Sequence, residues 1–487
     1  MPDFVTLLPQ LLRSGLGNLA SYLAAHVLLC LLPAFYIAGA MTAMIPKPTI
    51  TRFLGRGTPR FLSYPAAALA GSVLAVCSCT IVPLFAGIHR KGAGIGPAVT
   101  FLFFAPAGNI LALVYTGNII GPDLAVARLL LSLAFGIGIG LIMALLFHND
   151  DAAHDHATDV LFAAQAERGL GRGSLAFMLL WVALLLAGTL KLGFLTDSWA
   201  TLDIPLGGAA DMQSWLERLV PFDARNGEEG VSVQGAMLIL LLAAVGYASW
   251  RGFERIQEGF NRWTGIALAL TATTLLFAAL RVEPTASGLS IGLTGRFVGV
   301  LAVLLALVWL ARTRIAEEEL RDWLWESWRF VKQIFPLLVA GVFVVGVLRV
   351  LIRPEWIEAL AGANTPLANL VGVGFGVFMY FPTLVEVPIA RMFLDLGMHR
   401  GPLLAYLMAD PELSLQSILI LTTILGRLKT WTYVALVALF STMAGLAYGA
   451  WIDGASAWLI ATLVTGVLGV LSMALWLANG HLAHRHT

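Results

Sequence analysis

The chain has 487 residues, 59% hydrophobic and 12% charged, with a net charge of +1 and a mean hydropathy of +0.84. Soluble domains run near half apolar and about a quarter charged, so one large soluble core is excluded. The near-neutral charge also excludes nucleic acid as a bulk polyanionic partner.

The chain opens on MPDFVTLLPQLL, with no basic region and no small-residue cleavage site before its first apolar run. It is expected to be retained rather than removed as a signal peptide. About 13 apolar blocks follow, each near the ~20 residues that span the hydrocarbon core. They lie near 24–46, 62–88, 96–119, 123–147, 174–195, 233–250, 264–282, 291–311, 333–353, 367–393, 401–425, 430–451 and 456–478. The link 312–332 mixes Trp323, Trp325 and Trp328 with Glu317, Glu318, Glu319, Arg321 and Lys332. That mixture predicts an amphipathic helix at headgroup level. The positive-inside rule splits. Lys47, Arg52, Arg56 and Arg60 want one side, while Arg90 and Lys91, then Arg251, Arg255 and Arg262, want the opposite topology. A cytoplasmic N-terminus is expected, and a re-entrant hairpin in one half would resolve the conflict differently.

An internal repeat is visible at an offset of 305 residues, where 64–121 lies on 369–426 without a gap. Gly71 falls on Gly376, Pro83 on Pro388, Gly92 on Gly397, and Gly96-Pro97 on Gly401-Pro402. Pro106 falls on Pro411 and Gly121 on Gly426. These residues interrupt helices, so the repeat preserves backbone breaks, expected near Pro83, Pro106, Pro388 and Pro411. Matched breaks in two halves are the sequence mark of a transporter's midplane site.

The candidate site residues stand at those breaks. Cys77, Ser78, Cys79 and Thr80 precede Pro83, whose ring disturbs the ladder at the Cys79 carbonyl. In a regular helix the two sulfurs point about 200° apart, so an unwound Cys-Ser-Cys is needed to aim both at one soft metal or metalloid. Cys30, alone in the first block, reads as a small buried hydrophobe. Asn109, after Ala105-Pro106-Ala107-Gly108, caps the half-helix that follows. The second half carries Thr383 and Glu386 where the first has Ser78 and Ile81, and Asp410, Glu412 and Ser414 at the second break. Intramembrane carboxylates are functional candidates by default. Glu386, Asp410 and Glu412 are read as substrate-binding and proton-coupling groups, with Arg391 as the counter-ion of Glu386. His148, His154, Asp155 and His156, and the tail residues His481, His484 and His486, read as solvated linkers. The chain has no phosphate-loop motif, no H-E-x-x-H and no G-x-S-x-G.

The run CSCTIVPLFAGIHRKGAGIGPAVTFLFFAPAGNILAL, 77–113, resembles the ArsP-like permeases. The run FPTLVEVPIARMFLDLGMHRGPLLAYLMADPELSLQS, 381–417, is similar to the second-half signature of a branch of that family. The likeness covers about 25–148 and 333–451. It implies efflux of trivalent organoarsenicals, or of soft metal ions in related branches, with Cys77 and Cys79 as substrate thiols and Asn109 in the site. Pro382-Thr383-Leu384 and Glu386 depart from members that carry small residues or a second cysteine motif there.

The resulting expectation is an all-α polytopic membrane protein with two related halves, four plus four core spans and extra spans in the middle. The first half is placed at 1–150, the middle insertion at 151–332, the second half at 333–451 and an extra span and tail at 452–487. It is expected in the inner membrane as a multi-pass, non-enzymatic permease working by alternating access, coupled to a gradient of protons. Its partners are the lipid bilayer and a small-molecule or metalloid substrate, with self-association left open. No cofactor is expected beyond a soft centre held by Cys77 and Cys79. A copper, zinc or small sulfur-compound carrier, and a membrane thiol redox enzyme, are the rival readings.

Overall fold

The computed structural model describes residues 4–25, 29, 31–44, 47–74, 78–155, 171–189, 193–205, 208–220, 222–223, 228–285, 288–349, 355–378, 386–456, 458, 462 and 465. Cys30, Cys77, His156, Thr383 and the tail histidines lie outside the described residues.

The first half runs α1 (Phe4–Ala25), α2 (Leu32–Met44), α3 (Lys47–Leu54), α4 (Arg60–Leu74), α5 (Ser78–Arg90), α6 (Ile95–Ala107), α7 (Ile110–Ile119) and α8 (Pro122–Leu146). A helical segment α9 at 148–155 follows. The middle holds α10 (Arg172–Thr189), α11 (Gly193–Thr196), β1 (Ser198–Ile204), α12 (Ala209–Leu219), β2 (Phe222–Asp223), β3 (Glu228–Glu229) and α13 (Val233–Phe253). It continues with α14 (Arg262–Ala279), β4 (Arg281–Thr285), β5 (Gly288–Thr294), α15 (Gly295–Thr313) and the long α16 (Glu317–Arg349). The second half is α17 (Glu355–Ala361), α18 (Pro366–Phe378), α19 (Glu386–Asp395), α20 (Arg400–Ala409), α21 (Leu415–Leu425) and α22 (Arg427–Ile452).

The helical membrane fold agrees with the sequence. Seven helices among the described residues are long and apolar enough to cross a bilayer. Three of them begin on side-chain caps, since orphan amides are costly in lipid. Ser232 accepts from the Gly235 amide, Asn261 and Thr264 form a capping box, and Thr294 accepts from the Phe297 amide. Four features differ from the expectation. Helix α1 forms ahead of the first apolar block. A small antiparallel sheet, in the order β1-β5-β4, joins α11 to α15. The tryptophan-rich 312–332 link is not a separate interfacial helix; from Glu317 it is the first half of the 33-residue α16. The histidine-bearing loop is docked: Asp151 accepts from the Ile95 amide at 3.0 Å, and the His154 ring stacks on His89 at 4.3 Å. A carboxylate at the start of α6 satisfies a free amide and meets the positive end of the helix.

The two halves share one substructure. Helices α4–α8 and α18–α22 follow the same order, and their tight points coincide at the offset of 305. A Cβ added at Gly71 would meet Ala105, and one at Gly376 would meet the mate of that residue, Asp410. Gly96 and Gly140 approach each other's carbonyls, as do Gly401 and Gly445. The turns at Gly92 (φ 84°) and Gly397 (φ 93°) adopt the same left-handed conformation, which favours glycine.

Each half begins with a helical hairpin that enters and returns. The Gly94 amide donates to Leu54 O at 2.8 Å, and the His399 amide to Ala361 O at 2.9 Å. The chain before α4 therefore lies beside the chain after α5. With 15 residues in α4 and 13 in α5, each arm reaches about 20 Å, short of the ~30 Å core. The block 62–88 is thus not one crossing, and neither is 367–393. This places Arg52, Arg56 and Arg60 on the same side as Arg90 and Lys91, which removes the charge conflict between those two groups.

The halves are inverted. Helices α8 and α22 are repeat mates, yet they pack antiparallel: Tyr448 donates to Asp123 at 2.7 Å, Phe135 meets Phe440 at 4.9 Å, and Lys429 meets Asp150 at 3.2 Å. Cross-packing follows a pseudo-two-fold exchange, with α5 against α21 and α19 against α7.

Candidate substrate and coupling site

Each hairpin packs against the first segment of the broken span that follows it, α4 against α6 and α18 against α20. Between α6 and α7 the helix stops at Gly108 and restarts after Asn109, whose carbonyl accepts from the Leu113 amide at 2.9 Å. Asn109 is buried and occupies the capping position the sequence assigned to it. Between α20 and α21 the break covers 410–414. Ser414 caps α21, its hydroxyl oxygen accepting from the Ser417 amide at 3.3 Å. The breaks near Pro106 and Pro411 therefore lie where expected. Pro83 and Pro388 themselves sit within helices, in the early turns of α5 and α19, and the links just ahead of those helices, 75–77 and 379–385, lie outside the described residues. A proline in a first turn lacks only an amide that had no intrahelical partner, and at the second turn of α5 it costs one bond. Ser78 and Cys79 begin α5 rather than an unwound stretch, with Thr80 buried in its first turn.

Glu386 opens α19 and is fully buried. Its counter-ion is Arg128 of α8, also fully buried, at 2.6 Å. Arg128 further donates to Ala107 O at 3.2 Å and to Thr116 Oγ1 at 3.4 Å. One guanidinium thus ties the end of α6, the second half of α7 and the opposite half. The Glu386 carboxyl also lies beside that of Asp410, which is fully buried as well. Glu412 accepts from Tyr433 OH at 2.8 Å. Tyr433 is the repeat mate of Arg128. The inverted scaffold therefore carries a cation at one position and a phenol at its mate, with all three carboxyls on the second half.

Arg391 is not the counter-ion. It is 52% exposed and pairs with Asp395 at 3.2 Å. Five positions along a helix rotate a side chain about 140° from Glu386, onto the opposite face. Sequence reasoning passed over Arg128 and Tyr433. Arg128 had a signal, an arginine inside the apolar block 123–147, where an ionisable side chain is a candidate by position. Among the described residues no three His, Cys, Asp or Glu side chains converge as a metal site.

A family of predicted permeases designated ArsP_1 matches residues 14–450. The chain belongs to this family. The resemblance carried by 77–113 and 381–417 is thereby borne out over nearly the whole permease. The UPF0718 protein MJ0584 of Methanocaldococcus jannaschii is 31% identical over 449 residues, covering 92% of this chain and 98% of that protein. The UPF0718 protein YraQ of Escherichia coli is 29% identical over 119 residues, 24% of this chain and 34% of that protein. No solved structure matches the permease.

Proposed function

We propose that this permease is a secondary-active carrier of the inner membrane that exports a soft, thiol-reactive substrate, foremost trivalent organoarsenicals, in exchange for protons. The observation that carries the reading is the Arg128–Glu386 pair, which joins the inverted halves at 2.6 Å away from solvent. Rocking one half against the other must break that bond, and an ionised partner left unpaired in a dry interior is costly. Protonating Glu386 discharges it and lets the halves separate. Losing the proton on the other side restores the pair. Movement of the halves is thus tied to proton transfer. The thiols of Cys77 and Cys79 would hold the substrate: each S–As bond forms as an As–O bond breaks, and the thiol proton leaves with the hydroxide as water. Asn109, Asp410, Glu412, Ser414, Ser78, Thr80 and Thr383 belong to the same proposal.

Glu386→Gln imitates the protonated acid. It is expected to bind substrate and exchange it down a gradient, yet fail to drive uptake into inverted vesicles against one. Normal pH-dependent flux in that variant would remove the coupling role.

Thiol recognition has its own test. Cys77→Ser and Cys79→Ser are each expected to abolish resistance to arsenicals in sensitive cells at unchanged expression, because oxygen is a poor ligand for soft centres. Cys30→Ser should remain close to wild type. Full resistance in the double serine variant would exclude the thiols as ligands.

A further inference from the structure

Helices α13 and α16 face each other across a cleft floored by α2. Leu242, Val245, Gly246, Ser249 and Phe253 recur along one face of α13, over about 16 Å of helix. Val331, Phe335 and Pro336 form the opposite wall, and the cavity volume is about 430 Å³. Its lining is almost wholly apolar, so water has few partners there. Unfilled apolar space of this size is destabilising, which favours an apolar occupant. At one end of the cleft stand Trp328 and Lys332. Lys332 bonds both oxygens of Glu254, at 2.9 and 2.8 Å, and the Trp328 indole donates to Glu254 at 2.7 Å. The hydrogen bonds from Lys332 and Trp328 hold the Glu254 carboxyl below the usual range, so it is ionised at neutral pH. Lys332 and Glu254 are 40% and 43% exposed. Glu254 caps the end of α13, and Lys332 closes the charged, tryptophan-rich first half of α16, the composition of a headgroup-level segment.

We propose that this cleft is a binding site for one zwitterionic glycerophospholipid of the ethanolamine type. An acyl chain fills the space between α13 and α16. The phosphate meets Lys332 and the ammonium meets Glu254, so the exposed ion pair exchanges one partner each with a headgroup of matching charges. The inference is independent of the transported substrate.

Gly246 provides the test, because a side chain added there meets nothing within 4 Å. Gly246→Phe should fold and fill the cleft. The purified full-length protein is reconstituted with phosphatidylethanolamine or phosphatidylglycerol, each carrying a diazirine in its acyl chain. After irradiation, labelled peptides are mapped by mass spectrometry. The expected result is labelling of 242–253 and 327–336 by the ethanolamine probe, reduced about tenfold in Gly246→Phe, the ratio that a loss of one decade in affinity gives. Gly299→Phe, also in open space but on α15, should leave that labelling unchanged. Glu254→Gln, which removes the partner of the ammonium, should abolish the preference for ethanolamine over glycerol. Labelling no stronger than at the exposed faces of α15, or undiminished in Gly246→Phe, would overturn the site. Equal labelling by the two probes in the unmodified protein would overturn the headgroup assignment.

Discussion

Arg128→Met is expected to cost the permease about 3–5 kcal/mol of stability, the range for breaking a buried ion pair from one side. Arg128 and Glu386 are both sealed from solvent and 2.6 Å apart. Removing the cation leaves Glu386 buried beside a second carboxyl, Asp410. Ala107 O and Thr116 Oγ1 lose their donors as well. The measurement is the yield of monodisperse protein and its thermal inactivation midpoint in detergent. A partner variant separates folding from coupling. In Arg128→Met/Glu386→Leu both charges are gone, and apolar replacement of a buried pair is often neutral or better. The double variant should therefore regain most of the stability and still show no proton-driven flux. A single Arg128→Met protein with normal stability and pH-dependent transport would show that the pair neither supports the fold nor couples the halves.

Gly376→Val is expected to cost about 3 kcal/mol, the upper end of the range for overpacking. A Cβ at this position would stand 2.7 Å from the Asp410 amide nitrogen and 3.0 Å from its Cα. Those atoms are backbone and cannot step aside as a flexible side chain would. The displaced segment is the break that carries Asp410 and Glu412, so flux should fall further than stability alone predicts. Gly374→Val is the control, because a Cβ there meets nothing within 4 Å. It should leave both thermal inactivation and flux near wild type. Equal effects of the two substitutions would mean that α18 and α20 do not approach as closely as the structure places them.

Both experiments depend on contacts of unequal legibility. Sequence alone determined that the chain lives in a bilayer, because only lipid tolerates so many apolar blocks of spanning length. It also determined the repeat. Gly71 and Gly376, or Pro106 and Pro411, recur in one register because helix breaks and close backbone approaches accept few other residues. Glu386, Asp410 and Glu412 were legible as candidates, since a carboxyl inside a span is costly without a role.

Tertiary structure alone decided the rest. A block of apolar residues reads the same whether it crosses the membrane or turns back, so the hairpins of α4–α5 and α18–α19 had to be seen through the bonds from Gly94 to Leu54 and from His399 to Ala361. The inverted relation followed from α8 packing antiparallel to its own mate α22. The counter-ion was misread for the same reason. Along the sequence Arg391 is the near cation, but helix rotation turns it to the surface. Arg128, 258 positions away in the chain, reaches Glu386 because the pseudo-two-fold packing carries α8 across to the second half. Local pattern fixes which residues are costly to bury; only packing fixes which of them share one low-dielectric space.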